Sequence, residues 1–202
     1  MRKLILFVAL LLAQHTYAAD PLASMQDRLS PYQTIRADFL QIKEISGMSK
    51  PLRSSGQVMV SRQHGVLWQM NAPIKIGYLL AEDRVVEIAA DGSRRTRKAQ
   101  DLPGLAQVAR IFRALLGGQT ETLNEYFEAR GEVKGERWQV TLKPRQAQLA
   151  QFLNRIELVG GDYVENISIE EASGDRTRIE FRNSVGAAAL KADDLKAYGL
   201  AQ

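Results

Sequence analysis

Cysteine is absent from the 202-residue chain. Its absence excludes disulfide bonds, thiolate metal sites and a cysteine nucleophile, so nucleophilic chemistry would fall to serine or threonine. It also excludes a lipid-modified cysteine, so an exported protein of this sequence is not itself a lipoprotein. An exported domain of this length without disulfides is more typical of a bacterial envelope than of an extracellular scaffold.

Long apolar runs are also missing, because no stretch approaches the roughly 18 apolar residues that a membrane-spanning helix needs. The apolar run at residues 4–13 follows a basic start and precedes small residues at a cleavage site. This layout predicts a secretory signal peptide over residues 1–18, with a retained membrane helix as the alternative. We expect residues 19–202 to form one soluble domain in the periplasm of a Gram-negative bacterium.

The chain has little net charge: 27 basic and 23 acidic side chains leave an excess of +4. The one basic cluster, residues 93–98, contains no aromatic residue, and nucleic-acid binding usually combines the two. We therefore predict no nucleic-acid partner. The cluster is interpreted as a solvated edge strand whose charges prevent mispairing, with a docking surface for an acidic partner as the alternative.

Catalytic and metal-ligating motifs are missing as well. Beyond the predicted signal peptide the only histidine is His64, which lies in a tight turn and is expected to be an exposed polar residue. There is no G-x-S-x-G elbow, no H-E-x-x-H pair and no glycine-rich phosphate loop. The adjacent carboxylates Glu170 and Glu171 would face opposite sides of a strand. We predict a protein that is not an enzyme and carries no cofactor or metal.

What the chain does contain is alternation with a period of two residues. Ile35, Ala37 and Phe39 fall on one face of a strand, and later runs repeat this pattern between short turns. Short connections of this kind join antiparallel neighbours. We predict eleven strands, the first beginning near residue 32 and the others near 54–62, 65–71, 74–82, 84–90, 93–98, 126–133, 137–143, 153–159, 163–172 and 176–183.

Helical spacing interrupts this pattern in two places. Asp20 and Pro21 form a good helix start, and a second amphipathic helix is predicted over residues 105–116 before the stop at Gly117 and Gly118. Shorter helical turns are predicted near 120–125 and 144–151, and residues 188–195 have weak helical character. The fold class is α+β, with a long antiparallel sheet that curls into a barrel or half-barrel.

The apolar face of this sheet either fills the interior with side chains or lines a ligand cavity, and the helix over residues 105–116 could cover it. We predict a cavity lined by strand residues Phe39, Val58, Val60, Val66, Trp68, Met70, Ile76, Tyr78 and Leu80 and by helix residues Val108, Ile111, Phe112 and Leu115.

Four segments resemble those of a known family and occur in the family's order between residues 20 and about 130. They are A-D-F-L-Q after the first helix, G-Q-V-M-V-S-R ending at Arg62, Trp68 with Ala72 and Pro73 after it, and L-L-G-G followed by Y-F-E. The chain is thereby similar to the LolA family of periplasmic outer-membrane lipoprotein carriers. Gln63 replaces the family's usual proline and Val66 its usual aromatic residue, which indicates a divergent, LolA-like member.

The resemblance implies a half-open antiparallel barrel with a helical lid and one lipid-binding domain. It implies that the arginine matching Arg62 bonds to backbone carbonyls of the lid and acts as a latch. The implied partners of this monomeric carrier are an acylated lipoprotein or lipid cargo, an inner-membrane transporter as donor and an outer-membrane acceptor. Two alternatives are a carrier for a specialised lipid, in an aryl polyene or glycolipid export system, and a non-transporting lipid-sensing or regulatory module.

Overall fold

A computed structural model describes residues 20–101 and 103–200 of the chain. The signal peptide predicted over residues 1–18 lies outside the described residues. Among the helices of the described part, none is both long and apolar enough to cross a membrane.

Within the described residues, eleven antiparallel strands form a single sheet, which confirms the predicted α+β class. Most observed bounds differ from the predicted ones by a few residues, because the alternating pattern and the turn residues mark strands clearly. The strands are β1 (Thr34–Glu44), β2 (Leu52–Ser61), β3 (Gly65–Ala72), β4 (Ile76–Leu80), β5 (Arg84–Ile88), β6 (Arg94–Lys98), β7 (Phe127–Lys134), β8 (Arg137–Pro144), β9 (Leu153–Gly160), β10 (Val164–Glu171) and β11 (Arg176–Ala187).

The sheet is open, in the order β6-β5-β4-β3-β2-β1-β11-β10-β9-β8-β7. Its two halves meet where β1 pairs with β11, and β6 and β7 are the two edge strands. This arrangement confirms the half-open barrel. The turn from β2 into β3 needs glycine at position 65, where φ is 88° and a Cβ would lie 2.1 Å from the carbonyl oxygen of Leu80.

In the part of the chain that the structure describes, five α-helices accompany the sheet. Asp20 caps the first helix by accepting a hydrogen bond from the backbone N–H of Leu22 at 3.0 Å, as the sequence predicts. The central helix begins two residues earlier and ends one residue later than predicted. The helices are α1 (Pro21–Leu29), α2 (Pro103–Gly117), α3 (Thr120–Tyr126), α4 (Ala147–Ala150) and α5 (Ala192–Tyr198), and a short 3-10 helix covers Ala99–Asp101.

Helices lie on both faces of the sheet. We call the face that carries Phe39, Val58 and Trp68 the inner face, and the opposite face the outer face. On the inner face, α1 contacts β7 and β8, whereas α2 contacts β2, β4 and β5. The main apolar core lies between these helices and the inner face.

A smaller core covers part of the outer face and involves the C-terminal helix α5. Tyr198 of α5 is buried against side chains of β2–β5. Its hydroxyl lies 3.0 Å from the carbonyl oxygen of Met59 and 3.1 Å from that of Gly65. This layer explains why β2–β5 are apolar at successive positions, because both of their faces are covered. The outer-face partners of Tyr198 are Met59, Leu67, Leu79 and Val86.

Candidate functional site: an apolar cavity between helix α2 and the sheet

The inner face has one part that is filled by the protein's own side chains. Under α1 and α3, strands β8–β10 contribute large residues with at most 1% of their surface exposed. Met25 of α1 and Leu123 of α3 pack into this cluster with no exposed surface. The filling residues from the sheet are Trp138, Val140, Leu142, Leu158 and Ile167.

An aromatic cluster lies on the inner face between β1, β3 and β11. The rings of Phe39 and Trp68 stack with centroids 3.8 Å apart, and Phe181 meets Trp68 edge-on at 6.2 Å. From the helix side, Phe112 of α2 meets Trp68 edge-on at 5.2 Å. Such aromatic contacts add to the apolar burial and hold the indole in one orientation. Trp68 therefore forms a rigid wall where the filled core ends.

Beyond this wall, between Phe112 and strands β3–β6, lies a cavity of about 350 Å³. Cross-strand pairing builds its floor, because Trp68 pairs with Tyr78, Tyr78 with Glu87, and Glu87 with Arg95. Residues paired in this way share a face of the sheet. The volume lies near the lower end of the range of small-molecule sites. The lining residues are Gln41, Trp68, Tyr78, Leu80, Val85, Glu87, Arg95, Arg97 and Phe112.

The thirteen residues predicted to line a cavity divide into groups. Four line the observed one: Trp68, Tyr78, Leu80 and Phe112. Val108 lies on α2 but is 59% exposed and is not among the lining residues. Met70 and Ile76 are half-buried on β3 and β4. The remaining six are buried in the main core: Phe39, Val58, Val60, Val66, Ile111 and Leu115.

Sequence reasoning missed five lining residues: Gln41, Val85, Glu87, Arg95 and Arg97. Arg95 and Arg97 lie on β6, whose basic composition suggested a solvated edge, and Val85 and Glu87 lie on the neighbouring strand β5. A signal was nevertheless present. Arg95 and Arg97 are two residues apart, so they share a face, and that face is the inner one.

Arg62 lies in the turn between β2 and β3 and bonds to the end of α1. Its Nε donates to the carbonyl oxygen of Tyr32 at 2.9 Å, and an Nη donates to that of Leu29 at 3.2 Å. Carbonyls at a helix C-terminus lack partners within the helix, so these bonds satisfy them. The arginine thus joins the sheet to α1. The predicted latch was a bond to backbone carbonyls of the helical lid, and the prediction did not say which helix.

A second cavity, of about 550 Å³, lies between the β2–β3 turn and the C-terminal half of α2. Ionisable side chains line much of it, so it does not suit an acyl chain. Arg110 donates to the hydroxyl of Tyr126 at 3.3 Å. Burial lowers the pKa of Arg113 from its usual value, and the nearby charge of Glu82 partly offsets this effect. The ionisable lining residues are Arg62, Glu82, Arg110, Arg113 and Glu125.

Residues 20–101 and 103–200 contain no group of three or more histidine, cysteine, aspartate or glutamate side chains that could hold a metal ion. His64 lies in the β2–β3 turn, with its ring 5.8 Å from that of Tyr198. What the described residues can do is bind an apolar group beside two arginines.

Residues 15–199 match the family described as outer membrane lipoprotein carrier protein LolA-like. Proteins named outer-membrane lipoprotein carrier protein from Legionella pneumophila, strains Corby and Paris, are each 27% identical over 159 residues. Each alignment covers 79% of this chain and 75% of the relative.

Two solved structures are similar over most of their length. One is a LolA superfamily protein from Nitrosomonas europaea, at 11% identity and a TM-score of 0.48, covering 87% of this chain and 94% of that one. The other is the Mycobacterium tuberculosis lipoprotein LppX, at 9% identity and a TM-score of 0.46, covering 85% of this chain and 96% of that one.

Proposed function

The chain belongs to the family of LolA-like outer membrane lipoprotein carrier proteins, and from this premise we propose that it carries acyl chains in the cavity beside Trp68 and Phe112. In this proposal the protein works in the periplasm and moves an acylated lipoprotein or lipid from the inner to the outer membrane. An inner-membrane transporter supplies the cargo and an outer-membrane acceptor receives it. The Legionella relatives are named outer-membrane lipoprotein carrier proteins, which supports a lipoprotein cargo and a link to the outer membrane.

The observation that carries the proposal is the contrast between the two parts of the inner face. Large side chains fill the part under α1 and α3, whereas about 350 Å³ beside α2 is left vacant within aromatic and aliphatic walls. A buried methylene group is worth about 0.8 kcal/mol, so a chain that places about six of them there gains about 5 kcal/mol before the costs of binding. That gain is modest enough for release to a stronger acceptor.

Exchange of cargo requires a cover that can move, and α2 is the cover in this proposal. Phe112 contacts the cavity from α2, and Ile111 and Leu115 anchor the same helix in the core. Displacement of α2 would open the cavity at the cost of withdrawing Ile111 and Leu115 from the core. Arg62, which bonds to the end of α1, would then hold the fixed part of the structure while α2 moves.

The two tryptophans of the chain allow a direct test of cavity occupancy. Trp68 lines the cavity, whereas Trp138 lies in the filled part, with its indole N–H donating to the carbonyl oxygen of Gly161 at 2.7 Å. The variant Trp138→Phe keeps Trp68 as the only tryptophan, and Trp68→Phe keeps Trp138. Both would be titrated with brominated dodecyl maltoside, a neutral amphiphile whose bromine atoms quench an indole on contact.

We expect saturable quenching of Trp68 in the Trp138→Phe variant and little quenching of Trp138 in the Trp68→Phe variant. Equal quenching of both, or of neither, would contradict a cavity that accepts acyl chains. Transport is tested separately, by the rate at which the protein transfers a fluorescent acylated lipid between donor and acceptor vesicles. A protein that binds the amphiphile but transfers no lipid would be a sensing module instead of a carrier.

A further inference from the structure

The edge strand β6 places two arginines over an apolar cavity. Arg95 and Arg97 line it from β6, across from Glu87 and Val85 of β5. The other residues of the strand, among them Arg94 and Lys98, alternate to the outer face. Arg94 donates to the carbonyl oxygens of Ala197 and Tyr198 and so fastens α5. The basic residues of β6 therefore serve two different faces.

The positive charge at the cavity is only partly balanced by acidic side chains of its lining. Its ionisable lining consists of two arginines and one carboxylate, Glu87, in addition to the phenol of Tyr78. Among the described residues, neither Arg95 nor Arg97 has a carboxylate oxygen within 4.0 Å. Both side chains are exposed, so their guanidinium groups are available to a ligand.

An aromatic wall with two guanidinium groups at one side has the polarity of an amphiphile. The apolar end of a ligand would lie against Trp68 and Phe112, and its polar end would lie at β6. Guanidinium groups pair well with phosphate and carboxylate, often through two hydrogen bonds at once. Because β6 is an edge strand, a headgroup placed there stays at the open side of the sheet.

We propose that the cargo of this protein carries an anionic headgroup, a phosphate or carboxylate attached to its acyl chains, and that Arg95 and Arg97 bind it. This inference rests on the proposed function, because it names the chemical class of the ligand at the same cavity. It also gives the inward pair of arginines a role beyond protection of an edge strand from mispairing.

The test compares two amphiphiles with the same chain, anionic dodecyl phosphate and neutral dodecyl maltoside, each below its micelle concentration. Their affinities are measured by displacement of the brominated maltoside from the Trp138→Phe protein. The double variant Arg95→Gln/Arg97→Gln removes the charges at the cavity. The matched control Lys98→Gln removes a charge from the same strand on the outer face, and inorganic phosphate is titrated in parallel.

We expect the parent protein to prefer dodecyl phosphate, and the double variant to bind it about tenfold more weakly, the loss that corresponds to one charge-assisted contact. Binding of dodecyl maltoside should be unchanged in the double variant, and Lys98→Gln should behave like the parent. High salt should weaken the binding of the anionic amphiphile only. This tests the charge contribution without a mutation in the binding site.

The other outcomes contradict, in turn, the headgroup site, the lipid nature of the ligand and the proposed function. If dodecyl maltoside binds and dodecyl phosphate binds no more tightly, the proposed headgroup site is wrong but the acyl cavity is not contradicted. The same conclusion follows if the double variant still prefers dodecyl phosphate. If inorganic phosphate competes as well as dodecyl phosphate, the arginines bind a free anion and not a lipid headgroup. If brominated dodecyl maltoside does not quench Trp68, or if neither amphiphile displaces it, the proposed function itself fails.

Discussion

Replacement of Arg62 by leucine tests how the sheet is fastened to the first helix. Leucine keeps much of the apolar stem but removes both hydrogen bonds to the carbonyls of Leu29 and Tyr32. The Leu29 carbonyl keeps another bond, from the backbone N–H of Tyr32 at 3.2 Å. The carbonyl of Tyr32 loses the closer of the two contacts, at 2.9 Å.

The expected loss follows from these two bonds. A hydrogen bond with a charged donor contributes about 1.5 to 3 kcal/mol when buried, and solvent around the exposed Arg62 reduces this to about 1 kcal/mol each. We therefore expect Arg62→Leu to lower the free energy of unfolding by about 2 kcal/mol. In a domain of this size the melting temperature should fall by about 4 to 8 °C.

Urea unfolding measures the loss, and hydrogen exchange of the α1 amides locates it. The matched control is Arg130→Leu, because Arg130 is also an exposed arginine but, lying on strand β7, pairs among the described residues only with Glu128 on the surface. A surface pair of this kind contributes at most about 1 kcal/mol. If Arg62→Leu costs no more than the control, the bonds to α1 do not stabilise the fold.

The same variant separates a structural role from the latch that the family resemblance implies. A latch predicts that Arg62→Leu also changes the rate at which brominated maltoside leaves the cavity beside Trp68. A bond that only holds α1 leaves this rate unchanged, because α1 packs over the filled part of the inner face. Stopped-flow recovery of Trp68 fluorescence in the Trp138→Phe background distinguishes the two roles.

Three further predictions concern the outer core, the cavity and the filled core. Burial raises the pKa of Tyr198, so above pH of about 10 the unfolded chain releases a proton that the folded protein keeps. In urea titrations above this pH, the free energy of unfolding of the parent protein should therefore fall by about 1.4 kcal/mol per pH unit relative to that of Tyr198→Phe. An equal pH dependence of the two proteins would contradict this. Val85→Phe should fill the cavity, weakening amphiphile quenching of Trp68 about tenfold at a stability cost below about 1.5 kcal/mol. Gly160→Ala should cost about 2 kcal/mol or more in urea unfolding, because a Cβ there would lie 2.4 Å from the Trp138 ring, and a neutral effect would refute that packing.

Most of the fold could be predicted because strands and turns leave local signals. Alternation at Ile35, Ala37 and Phe39 marks β1, and Gly65 marks a turn that no other residue would make without strain. Helix α5 was harder to predict, because its main anchor is one residue, Tyr198. The surface against which Tyr198 packs is formed by alternate residues of four strands, so it exists only once these strands are paired.

The cavity could be predicted only in part, for a different reason. Alternation identifies the inner face, so Val60 and Trp68 were both expected on it. Whether a residue of that face is buried by a helix or left beside a void depends on where α1, α2 and α3 pack. Both residues belong to the main core, but Trp68 borders the cavity beside Phe112 and Val60 borders the charged cavity near the β2–β3 turn, a difference that sequence periodicity does not show.

The open edge of the sheet and the proposed headgroup site are physically linked. If β6 and β7 paired to close the barrel, an amphiphile would have to enter through an end and bury its charge on the way, which is costly. With β6 unpaired on one side, an acyl chain can move in sideways against Trp68 while its anionic group stays in water beside Arg95 and Arg97.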